Sequence, residues 1–281
     1  MQTTTNARRD PRPAIRPRKL DLDLDPANIP LAWWDDDLFL SLFGHSLSLV
    51  FPVGEKFFVD SVRRYRKRIT DPSLLADING FAGQETLHGK AHDAFNAFAI
   101  AHGLDNAPAK EAHVARLLDR VRKLPPIVQL AVTCALEHFT ATLAEQVLDL
   151  CREIDDMHPA IRPMWLWHAL EESEHKAVAF DVYEEVGGGY AIRAAVMVAA
   201  TIVFVAEMAH LQASFAHKKG LLSKPWRWGH ALSYMWISPG VFTRMIPGYL
   251  DYFRPGFHPN DRDTTGLVDE WRARMFATPA V

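Results

Sequence analysis

The chain has 281 residues and a formal net charge of −3, with 48% apolar and 23% charged residues. This length and composition fall in the range of globular proteins that bury a large core. The net negative charge gives no support for a nucleic-acid partner. The two cysteines, Cys134 and Cys151, lie in one apolar, helix-like stretch, so we expect them in the core and not in a disulfide framework.

The first 30 residues differ from the rest, with five arginines, five prolines and few large apolar side chains. This composition predicts a mobile or loosely draped arm at residues 1–30, followed by a single domain at residues 31–281. A basic arm could touch nucleic acid or anionic lipid, but without a second basic patch we favour a solvated tail. No apolar stretch follows the N-terminal charges as in a secretory signal, which favours a cytoplasmic location.

Apolar residues recur at helical spacing along most of the chain, and the alternation typical of strands is nearly absent, so we predict an all-α fold. Prolines at helix starts and the glycine run 187–189 set the boundaries, and Pro52 should kink or restart the first helix. The predicted helices span residues 35–68, 72–102, 108–122, 126–154, 159–186, 190–218 and 225–250.

Residues 194–206 are apolar on all sides of the expected helix. This run is shorter than the about 20 residues that a membrane span needs, so we prefer a buried bundle helix to a segment that dips into a membrane. Beside a cofactor, such a helix could line a tunnel for an apolar substrate. The aromatic-rich region that follows predicts short helices over one end of the bundle and could bury a homodimer surface.

The chain contains three Glu-x-x-His pairs. Residues three apart share one face of a helix, so each pair presents a carboxylate and an imidazole to the same point in space. The pairs are Glu85/His88, Glu172/His175 and Glu207/His210.

A dinuclear carboxylate site in a helical bundle needs one Glu from each of two helices and a Glu-x-x-His pair from each of two others. Glu55 precedes Glu85 by 30 residues, and Glu137 precedes Glu172 by 35. These separations return antiparallel helices to the same level of a bundle. Glu55 and Glu137 lie on apolar faces, where a buried charge needs a partner, so we expect cations between the four acids.

The quartet resembles the site of the ferritin-like di-iron oxygenases, which implies a ferritin-like bundle with additional C-terminal helices. Over nearly its whole globular part the chain is also similar to a bacterial family of predicted metal-dependent hydrolases. That similarity includes residues 81–92, 168–175 and 253–261 (FAGQETLHGKAH, HALEESEH and FRPGFHPND).

His168 lies four residues before Glu172 and seven before His175, on the same helix face. This pattern resembles the p-aminobenzoate N-oxygenase type of site, in which an additional histidine ligates one iron. The resemblance implies two iron ions, with manganese as an alternative, and four glutamates that are also the candidate catalytic residues. Glu85 and Glu172 would bridge the ions, Glu55 and Glu137 would be terminal ligands, and nitrogen would come from His88, His168 and His175.

Other polar residues are expected around these ligands. His92 could be a ligand, an orienting partner or a proton carrier, and we favour a supporting role. Glu171 could orient one of the two histidines of its own helix. Glu207 and His210 are predicted to support the ligands or to pair in the core, and His138 points about 100° away from its neighbour Glu137 on the helix.

Three functional hypotheses follow. The first is a di-iron enzyme that activates O2 to N-oxygenate or hydroxylate a small apolar organic substrate. No flavin or nicotinamide fingerprint is visible, so its electrons would come from an external reductase or ferredoxin. The second is a metal-dependent hydrolase, in which two metals activate a water molecule and a carboxylate acts as base. The third is a metal-storage or metal-binding bundle without catalysis.

Overall fold

The structure is a computed structural model that describes residues 14–276. This part of the chain contains ten α-helices. Within that part no strand occurs, only an isolated bridge between Trp34 and Met157. The prediction of an all-α bundle is confirmed. The helices are α1 (Leu38–Arg63), α2 (Pro72–Ala101), α3 (Ala107–Val121), α4 (Pro126–Leu150), α5 (Arg162–His175), α6 (Val178–Glu185), α7 (Tyr190–Lys218), α8 (Gly229–Trp236), α9 (Val241–Asp251) and α10 (Thr265–Phe276).

Helix starts follow from local chemistry. The carboxylate of Asp37 accepts the amide N–H of Leu40 at the start of α1, and Asp71 accepts the amide N–H of Ser73 at the start of α2. Prolines occupy the first turns of α2 and α4, where a missing N–H costs nothing. These caps fix where α1, α2 and α4 begin. Because each residue adds a fixed rise, they also fix the height of every later residue of these helices along the bundle axis.

Two predicted helices are divided in the structure. The one predicted at 159–186 is broken between α5 and α6, where the Lys176 ammonium donates to the carbonyl of Arg262 and the hydroxyl of Thr264. The one predicted at 225–250 consists of a 3-10 turn, α8 and α9, with Gly240 in the left-handed region before α9. By contrast, α1 continues through Pro52 without a restart. Helix α10 lies beyond 225–250, the last predicted helix.

The N-terminal arm is attached to the bundle where the structure describes it. Residues 14–30 contain no helix, but Leu20, Leu22 and Leu24 pack against the core and Ile29 is buried. Arg18 forms ion pairs with two glutamates of α5. These contacts support the draped alternative for this stretch and not the mobile one, and residues 1–13 lie outside the described part.

The apolar helix that we predicted to be buried lies at the surface. Three segments are long and apolar enough to cross a membrane: Leu38–Arg68, Pro126–Leu150 and Tyr190–Lys218. In the first two, 61% of the most apolar window is buried inside the bundle, but in the third only 17% is. The expectation of a buried helix at residues 194–206 is therefore wrong. An apolar composition indicates that a helix avoids water, but it does not indicate whether protein or lipid covers the helix.

Two glycines of α1 have opposite surroundings. A Cβ atom at Gly44 would lie 2.5 Å from Cζ2 of Trp33, a buried indole that stacks on Trp165. At Gly54 the nearest atom outside the backbone is Cζ of Phe58, 4.0 Å away. Gly44 therefore makes room for the indole, whereas Gly54 has space for a methyl group.

We predict opposite effects of alanine at these positions. Gly44→Ala should lower the free energy of unfolding by about 1–3 kcal/mol, because the indole must move in a packed core. Gly54→Ala should raise it by about 0.5–1 kcal/mol through the lower flexibility of the unfolded chain. Urea denaturation of both variants checks the pair, and a shift in the same direction for both would contradict the packing argument.

Candidate metal centre

Four helices bring four glutamates to one level of the bundle. Glu55 is on α1, Glu85 on α2, Glu137 on α4 and Glu172 on α5, and each is at most 3% exposed. The spacings of 30 and 35 residues thus return the chain to the same level, as the sequence predicts. Carboxylates this close and this buried repel each other unless protons or cations intervene.

Three imidazoles face these acids. Nε2 of His175 lies 3.0 Å from Oε1 of Glu85 and 3.5 Å from oxygens of both Glu137 and Glu172. Nε2 of His168 lies 3.1 Å and Nδ1 of His88 lies 3.7 Å from Oε1 of Glu172. All seven predicted ligands therefore meet in one buried cluster.

The cluster divides into groups that could each hold one ion. Glu55, His88 and His168 form one group, and Glu85, Glu137 and His175 form a second that shares no residue with the first. Within each group the ligand atoms lie no more than 4.8 Å apart. A third group, Glu85, His88 and Glu172, takes one residue from each of the other two and adds Glu172. Two adjacent ions that share carboxylate ligands could therefore be bound by all three groups together.

Buried ligand atoms without hydrogen-bond partners support this interpretation. Both carboxylate oxygens of Glu55, Glu85 and Glu137 lack a hydrogen bond of good geometry, as do Nδ1 of His88 and Nε2 of His175, although Nε2 of His175 lies 3.0 Å from Oε1 of Glu85. Leaving a buried polar atom unsatisfied costs about 1–3 kcal/mol, and more when it is charged. Here the atoms converge on one space and are the oxygen and nitrogen donors that divalent cations bind. The residues present therefore fit a metal centre.

Each of the three imidazoles is held by its other nitrogen. Nε2 of His88 donates to Oε2 of Glu171 over 3.1 Å, and Nδ1 of His175 donates to Oε1 of Gln84 over 2.9 Å. Nδ1 of His168 lies 2.6 Å from Nε2 of His92. Such outer partners fix the tautomer and the ring orientation of metal-binding histidines. They leave Nδ1 of His88 and Nε2 of the other two rings directed at the acids.

His92 connects the cluster to a chain of polar groups. Nδ1 of His92 lies 2.8 Å from the hydroxyl of Ser48, which donates to Oδ1 of Asn96 over 2.8 Å. One arrangement of protons satisfies the chain: His168 donates to His92, His92 donates to Ser48, and Ser48 donates to Asn96. Both ring nitrogens of His92 are then occupied, which favours the supporting role over direct ligation.

Residues outside the predicted set complete this outer layer. Arg18 contacts Oε1 of Glu171 at 3.1 Å and Oε2 of Glu174 at 2.7 Å, and Glu174 accepts from Gln84 at 2.9 Å. Sequence reasoning missed Gln84 and Arg18. The position of Gln84 beside Glu85 could have indicated that its side chain lies near the cluster. Nothing in the sequence indicated that Arg18 would contact α5.

The sequence also led to expectations about Glu171, about the pair Glu207 and His210, and about His138, and the structure shows the position of each. Glu171 contacts His88 of α2, so the prediction that it orients a histidine of its own helix is wrong. Glu207 contacts His113, and His210 is exposed beside Lys110, so this pair lies away from the cluster and not beside it as predicted. The ring of His138 contacts the carbonyl of Gly248 at 2.9 Å, on the other side of α4 from the acids.

Charges in the cluster are poorly matched without cations. Burial, followed by repulsion from the neighbouring carboxylates, raises the pKa of Glu55 and of Glu137 well above the ordinary value. Burial also raises the pKa of Glu85. For Glu172 burial acts in the same direction, but His175 and His168 outweigh it and hold its pKa well below the ordinary value. Three of the four acids thus favour the protonated form until a positive charge replaces the protons.

One side of the cluster opens to solvent. A cavity of about 340 Å³ between α1 and α2 reaches Glu55 and Glu85. Gly89 forms part of its wall, and a Cβ atom there would lie 3.4 Å from Oε2 of Glu55. The rim is charged and comprises Lys56, Asp60, Arg63, Lys90 and Asp93. Water and small polar molecules can therefore reach the wall beside these two acids, whose own oxygens are buried in this structure.

The fold and the cluster define an all-α bundle protein with buried Glu and His groups that could hold metal ions. The model of a family described as predicted metal-dependent hydrolases matches residues 16–263, so the chain belongs to this family. No curated protein and no solved structure is significantly similar to the chain. Family membership confirms the resemblance to the predicted hydrolases, whereas none of the comparisons supports the resemblance to di-iron oxygenases.

We predict that Glu137→Gln prevents full metal loading. The amide keeps the shape of the side chain but removes a charge, so affinity for Fe(II), Mn(II) or Zn(II) should fall by more than about tenfold. The metal-free variant should be as stable as the metal-free parent, since the raised pKa of Glu137 already favours its neutral form. Anaerobic titration with metal analysis and thermal unfolding measure both effects.

The neighbouring residue provides the matched control. His138→Asn alters a buried polar side chain of α4 that contacts Gly248 and not the acids. This variant should bind as much metal as the parent. Equal loss of metal in both variants would indicate general damage to α4 and would contradict the assignment.

A third prediction concerns the outer partner of His175. Gln84→Ala removes the acceptor for Nδ1 of that ring and leaves its free nitrogen less well directed, so metal affinity should fall about 10–100-fold. Gln146→Ala, at a buried glutamine on α4 outside the cluster, is the control. Unchanged affinity in Gln84→Ala would mean that this contact does not position the histidine.

Proposed function

We propose that this protein is a metal-dependent hydrolase whose reaction takes place at a dinuclear centre between α1, α2, α4 and α5. The observation that carries the proposal is a buried set of partnerless carboxylate and imidazole atoms beside a cavity that opens to solvent. Membership of the family of predicted metal-dependent hydrolases supports it. The predicted ligands are Glu55, Glu85, His88, Glu137, His168, Glu172 and His175.

Two divalent ions at this centre would lower the pKa of a water molecule and polarise the bond that the water attacks. The four carboxylates would balance the ionic charge, so that a neutral centre forms in a region of low dielectric constant. Glu55 reaches both the cluster and the cavity floor, and we assign it the role of proton acceptor for the water. On the rim, Arg63 and Lys90 offer positive charge to the polar end of a substrate.

The proposal predicts hydrolysis without oxygen. Metal-loaded protein should cleave model esters, amides or phosphate esters under nitrogen, and chelation should abolish turnover. Assayed at saturating metal, Glu55→Gln should reduce kcat by about 10²-fold or more, as expected for loss of a general base, with His138→Asn as the active control. Absence of turnover with any of Fe(II), Mn(II) and Zn(II), together with O2 consumption after Fe(II) loading, would contradict hydrolysis.

A second candidate is oxidation of a small apolar substrate by O2 at two iron ions. It is favoured by the third imidazole, His168, and by the ring of Phe51, whose centroid lies 4.6 Å from that of His168. Phe51 also lines an apolar cavity of about 330 Å³. Bound iron would supply the redox chemistry, and electrons would come from an external reductase or ferredoxin. Phe51 would contact both an apolar substrate in this cavity and the ring of His168.

The two candidates differ in their need for iron and O2. Hydrolysis should tolerate several divalent metals and proceed anaerobically, whereas oxidation should require iron, O2 and reductant in proportion to product. Measuring O2 uptake against product with each metal decides between them. Replacement of iron by zinc without loss of activity would eliminate oxidation.

A further inference from the structure

The outward face of α7 is apolar over most of its length. From Tyr190 to Ala209 the exposed positions contain no charged residue, since Arg193 is buried and Glu207 is partly buried. Ile202 is 66% exposed, a position where a surface helix of a globular protein ordinarily presents a polar side chain. An exposed apolar surface of this extent indicates a binding site.

The helices that follow α7 extend this surface. Ile237 at the end of α8 is 78% exposed, and Thr201 of α7 lies 3.0 Å from the hydroxyl of Tyr249 on α9, which joins α9 to α7. We name the combined surface the α7–α9 face. Its exposed apolar members are Val198, Ile202, Val203, Val205, Leu232, Trp236, Ile237, Ile246 and Leu250.

Two apolar cavities lie behind the α7–α9 face. One of about 450 Å³ has Val205, Leu232 and Trp236 in its wall, and the other, of about 330 Å³, has Val203. They share four lining residues, so they adjoin: Leu47, Phe139, Thr140 and Phe204. Because exposed residues of the face line both cavities, a flexible apolar chain could pass from the surface into the bundle.

Charge distinguishes this region from the rest of the chain. Residues 190–251, from the start of α7 to the end of α9, contain six basic and two acidic residues, a net charge of +4, so the remainder must have −7 for the total of −3. Lys224 and Arg227 are exposed on either side of Trp226, which is 75% exposed. Exposed tryptophan and basic residues beside an apolar helix face are the combination that binds anionic membrane surfaces.

We propose that the α7–α9 face docks on the surface of an anionic phospholipid bilayer, with α7 parallel to the membrane plane. A lipid acyl chain would then enter the adjoining cavities. The inner side of α7 is fixed to the bundle by Met197, Leu211 and Phe215, so the helix lies on the membrane and does not cross it. A second copy is a poorer occupant, because a two-fold dimer would bring together two regions of like net charge, each with the exposed Lys224 and Arg227.

The test is sedimentation of the full-length protein with vesicles of phosphatidylcholine alone or mixed with phosphatidylglycerol. The protein should bind the mixed vesicles at least about tenfold more tightly, and added salt should weaken binding. Ile202→Glu combined with Ile237→Glu should reduce binding by more than about tenfold, since both residues are exposed and the core is untouched. Lys224→Glu combined with Arg227→Glu should remove the preference for anionic lipid.

Ile100→Glu, at an exposed apolar residue of α2, is the matched control and should bind vesicles like the parent. No binding to either vesicle type, or equal binding by parent and Ile202→Glu/Ile237→Glu, would overturn the proposal. A dimer by light scattering that dissociates in that variant, without vesicle binding, would overturn it in favour of a second copy. Metal content should be unchanged in every variant, so this outcome is independent of the metal centre and its reaction.

Discussion

The fold depends on one electrostatic constraint, the burial of four carboxylates at the same level of the bundle. Glu55, Glu85, Glu137 and Glu172 are nearly inaccessible to water, and most of their oxygens lack hydrogen-bond partners. Burying an ion without a partner costs several kcal/mol, which the packing of apolar side chains around the cluster would have to offset. Divalent cations would remove that cost and the mutual repulsion together, and their binding energy would then contribute to the stability of the folded state.

The surroundings of the acids follow from this constraint. Three imidazoles need one nitrogen directed inward, and each is oriented by a partner on its outer side: Glu171, Gln84 or His92. Arg18 contacts Glu171 and brings the extended N-terminal stretch into the same network. Composition alone predicts that this arm is solvated. In the structure it helps to position the candidate metal centre, because Arg18 contacts Glu171 and Glu171 contacts His88.

Sequence periodicity and spacing were sufficient to predict that the seven residues lie together, because a helix has a fixed rise. Once α1, α2, α4 and α5 are helical, residues three, four and seven apart share a face, and the cluster containing His168 follows. The partner of Glu171 could not be predicted in this way, because its contact with His88 joins two helices and depends on their relative rotation. The surface position of α7 was missed for a different reason, since an apolar helix has the same composition whether protein or lipid covers it.

The central claim is that the seven residues bind two metal ions. A crystal structure of the metal-loaded protein, with anomalous scattering recorded at the absorption edge of the metal, tests it most directly. We expect two peaks about 3.5–4 Å apart, enclosed by α1, α2, α4 and α5, with carboxylate oxygens and imidazole nitrogens about 2.0–2.2 Å from each. A single peak, or peaks that avoid Glu85 and Glu172, would contradict a dinuclear centre.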